Sequence, residues 1–251
     1  MTADYFGDLH LFENTLDLSG DAFKSDTNLL YTFENHVRIS SLTPNPLNQN
    51  QFVMGDIQGN LKFIQISEIR KKKTEKTILR LDTLVGSDNI TSFKTVNDLL
   101  WTENSRIICL GNDNSISSVE PTSLQASFRI NTEYSTPLKL EVRDQSPNCV
   151  MVGFEDGYLR LFDLRSNSKK AEKLFKSHVL SISSLHFNKW DSNLFVSGGL
   201  DGLTKIWDIR SDRPLYSVKV TDNSKIFSVK WMGVRQFLSG GDDSSLTHHV
   251  M

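Results

Sequence analysis

The chain has 251 residues, 38% hydrophobic and 10% aromatic, with a formal net charge of −2. That is enough apolar material for one sizeable core or a stack of small ones, and the near-neutral balance gives no global attraction to nucleic acid or anionic lipid. No segment has the continuous apolar run of a membrane-spanning helix, and residues 1–10 do not read as a signal peptide.

Read from the N terminus, the chain places short apolar alternations around turn residues, the pattern of strand, turn, strand. The first turn falls at Gly7, followed by an alternation at 9–12. Alternations at 52–54 and 61–66 flank Gly59, and those at 106–110 and 116–119 flank Ser115. The next pairs are 149–152 and 159–164 around Gly157, then 194–196 and 203–209 around Gly202. The last pair, 236–238 and 246–250, flanks Ser244. Asp156-Gly157 and Asp201-Gly202 suit a type I′ hairpin, because that turn needs positive φ and glycine supplies it without a steric penalty. Cys109 and Cys149 fall in predicted strands and make no metal spacing, which suits a reducing compartment, cytoplasm or nucleus.

Two of these units are near-duplicates. Gly153-Phe-Glu-Asp-Gly-Tyr-Leu-Arg-Leu-Phe-Asp-Leu-Arg165 recurs as Gly198-Gly-Leu-Asp-Gly-Leu-Thr-Lys-Ile-Trp-Asp-Ile-Arg210. A period of roughly 40–45 residues with a tight turn and a closing Trp-Asp reads as a WD-repeat β-propeller, all-β. About five to six blades of an expected seven are recognisable. The whole chain, 1–251, is one partial propeller that starts mid-blade, with a basic insertion at about 68–80.

His178, Ser197, Asp201 and Trp207 resemble the hydrogen-bonded tetrad of WD-repeat blades. A buried Asp is tolerable only when its oxygens are satisfied; a histidine N–H and turn amides do that, and the indole N–H closes the network through the serine hydroxyl. His, Ser and Asp also have the composition of a hydrolytic triad, but the repeating spacing favours the structural role. His36 parallels His178, yet its blade has Gln58 at the Asp position and Ile64 at the Trp position. The Asp156 blade has Val152 for the serine and Phe162 for the tryptophan.

Arg70, Lys71, Lys72, Lys73, Lys76 and Arg80 form the strong charge cluster, expected in an insertion between two strands. Three readings apply: a solvated loop, a nuclear-import signal, or an RNA-phosphate contact that adds affinity without specifying sequence. No aromatic residues interleave these cations, so base stacking is not indicated. His248-His249 lack further ligands at metal spacing and fall where Ile206-Trp207 sit in the preceding blade, so they read as a degenerate strand. Asn89-Ile-Thr91 fits a glycosylation pattern but no secretory signal accompanies it. Arg165 and Arg210, at equivalent strand exits, face a partner or close ion pairs with acids of neighbouring blades. No phosphate loop, paired-carboxylate site or Cys/His nucleophile stands out, so neither an enzyme, a metal, a cofactor nor a small-molecule substrate is expected.

Asp201-Gly-Leu-Thr-Lys-Ile-Trp-Asp-Ile-Arg-Ser211, Pro214-Leu-Tyr216, Lys225-Ile-Phe-Ser-Val-Lys-Trp231 and Ser239-Gly-Gly-Asp-Asp243 resemble the C-terminal blades of the Ytm family. The basic insertion before Leu79-Arg-Leu-Asp82 is a weaker likeness. This resemblance implies a scaffold in large-subunit ribosome maturation. Its partners would be the block-of-proliferation and pescadillo subunits of the PeBoW complex on pre-60S particles, with rRNA contact. The setting would be nucleus, nucleolus and nucleoplasm, with cytoplasm as the alternative. The family carries a ubiquitin-like domain ahead of its propeller. That domain and a first blade are expected to be missing here, and an N-terminal segment is expected to supply the missing outer strand. The competing reading is a WD-repeat adaptor in ubiquitin-ligase or trafficking-coat complexes.

Overall fold

The computed structural model describes all residues except 1, 4–7, 18–23, 34–36, 71–76, 88–93, 122–125, 144, 167 and 220–223. The described residues are all-β. Strands β1 (Thr2–Ala3), β2 (Leu9–Asp17) and β3 (Lys24–Phe33) form a three-stranded sheet. Four sheets of four strands follow. They are β4 (Ile39–Asn45) to β7 (Thr77–Ser87) through β5 (Asn48–Asp56) and β6 (Leu61–Arg70), then β8 (Val96–Trp101), β9 (Ile107–Gly111), β10 (Ser115–Val119) and β11 (Ala126–Asn131). Next come β12 (Pro137–Arg143), β13 (Ser146–Phe154), β14 (Tyr158–Asp163) and β15 (Lys173–Lys176), and then β16 (Ile182–Phe187), β17 (Leu194–Gly199), β18 (Leu203–Asp208) and β19 (Tyr216–Lys219). The last sheet has β20 (Ile226–Gly233), β21 (Gln236–Gly241) and β22 (Leu246–Val250). Each strand pairs antiparallel with its neighbour in sequence, so every sheet is a meander and the array is a β-propeller of successive blades.

The first strands of consecutive blades adjoin: β4 lies against β8, β8 against β12, β12 against β16, and β16 against β20. Each of these strands carries a register shift just after its first residue, between Ile39 and Ser41, Val96 and Asp98, Pro137 and Lys139, Ile182 and Ser184, and Ile226 and Ser228. A bulge twists its strand more strongly, which helps each blade turn away from the last. The apolar core is a series of clusters between successive blades. Met151, Leu159 and Phe175 of one blade, for example, meet Phe187, Phe195 and Trp207 of the next. Close approach explains why the duplicated segments open on glycine. A Cβ on Gly153 would lie 2.5 Å from Ile182 of the next blade, and one on Gly198 would lie 2.7 Å from Ile226.

The turns differ from a type I′ hairpin. Gly157 and Gly202 have φ of 80° and 78°, while Asp156 and Asp201 stay outside the left-handed region. The amide of Gly157 donates to Phe154 O and that of Gly202 to Gly199 O, the signature of a type I turn closed by a left-handed glycine. The aspartate explains the choice: its carboxylate accepts the amide two residues on, Tyr158 N at 3.1 Å and Leu203 N at 3.1 Å, an Asx arrangement compatible with ordinary φ. In the β9–β10 turn the left-handed residue is Asn114, φ 62°, rather than Ser115, which already belongs to β10. The turn at Gly7 and the residues His36 and Asn89 lie outside the described residues.

The long spacing after Gly59 is taken up by an extended β6–β7 hairpin. Its ladder continues to Arg70 opposite Thr77, with Ser67 opposite Arg80. Arg70, the last residue of β6, and Arg80, within β7, are thus strand residues on the two arms of this hairpin. Lys71, Lys72, Lys73 and Lys76 lie outside the described residues.

Candidate functional site

The structure brings His178, Ser197, Asp201 and Trp207 together. His178 precedes β16, Ser197 sits on β17, Asp201 in the β17–β18 turn and Trp207 on β18. His178 Nδ1 is 2.9 Å from Asp201 Oδ1, and Nε2 is 2.9 Å from Ser197 Oγ. Trp207 Nε1 donates to the same hydroxyl at 3.0 Å. The second Asp201 oxygen accepts the Val179 amide at 3.0 Å. Burial pulls the Asp201 carboxyl upward, but the His178 hydrogen bond and charge and the two turn amides outweigh it and hold the carboxyl below its ordinary range. The Asp–His–Ser connectivity is that of a hydrolytic triad, yet Ser197 is fully buried and its hydroxyl is occupied by an indole donor. No carbonyl carbon can approach that oxygen, so the network's chemistry is structural satisfaction.

Neighbouring blades solve the same problem with other residues, which sequence alignment on the turn did not reveal. At Asp156 the partner is Arg160, whose two terminal nitrogens reach the carboxylate at 3.0 and 2.6 Å. The guanidinium is buried, 4.3 Å from the Tyr134 ring centroid and 4.5 Å from that of Phe154, so the ion pair is roofed by aromatic faces. In the blade with Gln58, the turn acid is Asp56. It accepts from Gln58 N, Asn60 N and Asn60 Nδ2 at 2.9, 2.9 and 3.0 Å, while Gln58 itself is exposed. In the last blade His249 stands where Trp207 does: it pairs across the ladder with Phe237 as Trp207 pairs with Phe195. Its Nε2 is 2.7 Å from Ser239 Oγ.

Arg165 and Arg210 pair within their own blades, with Asp163 and Asp208 at 2.5 Å each. Acids of neighbouring blades are not their partners, a correction to that part of the sequence reading. The close Arg210 guanidinium holds the Asp208 carboxyl at about 2, against a smaller upward pull from burial. Cys109 is buried, and burial pushes its thiol up; Cys149 is partly exposed.

Side chains facing the first-strand neighbours stitch the blades together. Leu99 N donates to Ser41 Oγ at 3.1 Å, Leu140 N to Asp98 Oδ2 at 3.1 Å, and Val229 N to Ser184 Oγ at 3.0 Å. Burial raises the Asp98 carboxyl, opposed by the Lys139 charge and by hydrogen bonds from Leu140, Ser41 and Leu99. Where these strands end, opposite the tetrad turns, a cavity of about 400 Å³ opens, lined among others by Trp101, Glu103, Glu141, Lys189 and Lys230. Near Lys189 and Lys230, Trp190 and Val234 on the turns and Met232 at the end of β20 are 55%, 57% and 55% exposed. Asn188 ties these turns: its Nδ2 donates to Val234 O at 3.0 Å and its Oδ1 accepts Trp190 N at 2.8 Å. Among the described residues no group of three or more His, Cys, Asp or Glu is placed to hold a metal, and no helix is long and apolar enough to cross a membrane.

Comparison with known proteins agrees with this architecture. Residues 169–208 match the family described as WD domain, G-beta repeat, a stretch that contains all four tetrad residues. Restriction of telomere capping protein 1 of Saccharomyces cerevisiae (strain ATCC 204508 / S288c) is 31% identical over 181 residues, 69% of this chain and 13% of the yeast protein. Ribosome biogenesis protein WDR12 homolog of Trichoplax adhaerens is 34% identical over 96 residues, 37% of this chain and 22% of that protein. Ribosome biogenesis protein YTM1 of Lodderomyces elongisporus is 33% identical over 104 residues, 38% of this chain and 21% of that protein. The matched regions thus span about an eighth to a fifth of these relatives' lengths. The chain carries a WD40 repeat within a β-propeller and shares partial similarity with the ribosome biogenesis proteins YTM1 and WDR12 homolog and with restriction of telomere capping protein 1.

Proposed function

We propose that this propeller is a non-catalytic docking module that holds partner polypeptides within a larger assembly. The observation that carries this reading is the face at the ends of the first strands. Three large apolar side chains stand exposed there, Trp190 and Val234 on two tied turns and Met232 at the end of β20, close in sequence to Lys189 and Lys230 of a cavity walled by both acids and bases. Exposed aromatic and aliphatic anchors next to charged walls are the composition of interface hot spots. The similarity to the YTM1 and WDR12 proteins supports a ribosome-biogenesis setting, with the block-of-proliferation and pescadillo subunits and the pre-60S particle as partners and the nucleolus and nucleoplasm as location. The 181-residue similarity to the restriction of telomere capping protein favours a second reading, a propeller module of a much longer protein in a different assembly, as a WD-repeat adaptor would be.

One purification separates these readings. Tagged protein is isolated with and without the paired substitution Trp190→Ala and Val234→Glu, and both co-purifying proteins and RNA are identified. Recovery of the block-of-proliferation and pescadillo subunits with pre-60S rRNA, lost in the variant at unchanged Tm, supports the first. A stable complex free of rRNA and of both subunits, also lost in the variant, supports the second. Partner recovery that the variant leaves intact removes this face from either.

A further inference from the structure

The space between the fifth and sixth blades differs from the one before it in a way that defines a site. Between the β12–β15 and β16–β19 blades, Phe175 of the outer strand fills the gap. Its ring stands edge-on to Phe195, with centroids 5.4 Å apart and planes at 81°, and to Trp207 at 5.8 Å and 76°. Phe195 and Trp207 themselves lie parallel, 6° apart in plane. One interface later the same ladder positions recur with smaller side chains. Phe175 pairs with Leu159, two residues past the turn glycine Gly157; Val218 pairs with Thr204, two residues past Gly202. Val218 therefore replaces Phe175, Phe237 replaces Phe195, and His249 replaces Trp207.

The stack on the far wall survives the exchange: Phe237 and His249 are parallel within 13°, centroids 4.4 Å apart. The missing volume is on the near side, where valine has no ring. A cavity of about 430 Å³ lies there, lined by Ile206, Tyr216, Val218, Phe237 and His249 among others. That volume and mostly apolar lining fall within the range of small-ligand sites. Its two walls, β18–β19 and β21–β22, are each held by their own ladders, and the cleft opens to solvent beside the exposed Tyr216.

We propose that this cleft is a binding site for one planar aromatic ring, lodged edge-on against Phe237 and His249 as Phe175 lodges against Phe195 and Trp207. The ring arrives as a small free aromatic molecule, which the cleft's volume of about 430 Å³ suits. This goes beyond the docking reading and does not depend on it, since ring binding needs no partner protein.

The experiment is an NMR titration of the full 251-residue chain with indole, and separately with N-acetyl-phenylalanine amide in competition with indole. Expected are saturable shifts confined to the surroundings of Val218, Phe237 and His249. Val218→Phe, which restores the residue of the preceding interface, should weaken indole binding at least tenfold while Tm holds or rises. His249→Trp, filling from the opposite wall, should do the same and serves if the first variant does not fold. Saturation by indole without displacement by the amide is the expected result; displacement by the amide would show that a peptide-borne ring fits as well and would overturn the assignment to free molecules. Shifts that scatter without saturating, or indole binding unchanged in both folded variants, would overturn the proposal.

Discussion

Replacing Asp201 by alanine removes the acceptor for three donors: His178 Nδ1 at 2.9 Å, Val179 N at 3.0 Å and Leu203 N at 3.1 Å. The three losses are unequal. Val179 is exposed and its amide reaches water, and Leu203 lies at a half-open turn. The His178 side chain is fully buried, so its ring nitrogen loses its partner with no replacement. One buried donor left unpaired costs about 1–3 kcal/mol, and the exposed amide adds little. For a chain of this size about 2 kcal/mol corresponds to a fall in Tm of roughly 4–8 °C. Gln58→Ala, at the aligned turn position, removes an exposed side chain and should stay within ~0.5 kcal/mol. Because His178, Ser197 and Trp207 share one network, Asp201→Ala combined with Ser197→Ala should cost less than the sum of the two. The assay is thermal and urea unfolding of the wild type, the three single variants Asp201→Ala, Ser197→Ala and Gln58→Ala, and the double variant. Equal effects of Asp201→Ala and Gln58→Ala, or strict additivity in the double variant, would refute the linkage of these four side chains.

Asp56→Ala, which removes the acceptor of Gln58 N, Asn60 N and Asn60 Nδ2 in a part-buried turn, should cost about 1 kcal/mol by the same unfolding assay. Gly198→Ala places a methyl 2.7 Å from Ile226; about 1–3 kcal/mol of overpacking is expected, and Ile226→Ala in the same chain should relieve part of it. The carboxyls of Asp156, Asp201 and Asp208 are held low in the folded state, so folding is favoured where they are ionised. That contribution is complete above the unfolded carboxylate value of roughly 3.9 and is lost as pH falls through the folded values, about 2 for Asp208. Tm should therefore drop between about pH 4 and pH 2 and drop less in Asp208→Asn. Neutralising Arg70, Lys71, Lys72 and Lys73 together should lower any RNA affinity and flatten its salt dependence; binding curves that coincide at two salt concentrations would dismiss an RNA-phosphate role for this run.

Strand placement was legible because two signals coincide at each turn: alternation on both sides and a residue that tolerates left-handed φ. Where those signals separate, the reading slips by a residue, as at Asn114 and Ser115. The His178 network was legible because all four partners keep the residue types the physics requires. Asp56 and Arg160 were not, because the acid or its counter-charge sits at a different offset from the turn. Alignment compares positions, whereas satisfaction of a turn carboxylate only requires donors within reach, and a guanidinium four residues along the strand reaches as well as a histidine from the preceding loop. The Val218 cavity escaped for a related reason. It arises from ordinary residues on different blades, and only the folded structure brings Val218 opposite Phe237 and His249.

The blades whose turns are described are thus built twice over: once by ladder and turn acid, as at Asp56, Asp156 and Asp201, and once by the apolar clusters shared with neighbours. The turn chemistry varies from blade to blade while the interblade packing persists, with glycine at 153 and 198 yielding to a β-branched side chain of the following blade. In an array of this kind stability is close to a sum of unit and interface terms, so a weakened turn is tolerated when its interfaces are full. The sixth blade departs on both counts, with Ser244 in the left-handed region at its turn and a cavity at its interface with the fifth. Its two deficits sit on one sheet, so they compound instead of being shared between neighbours. Local opening should therefore begin at β20–β22, with hydrogen exchange fastest there among the ladders of the last three blades. Filling the cavity with Val218→Phe should slow that exchange in β21 and β22 while leaving β13 and β14 unchanged. Uniform slowing across all blades would instead mean that the array opens as a single cooperative unit, and that the interface terms are not separable.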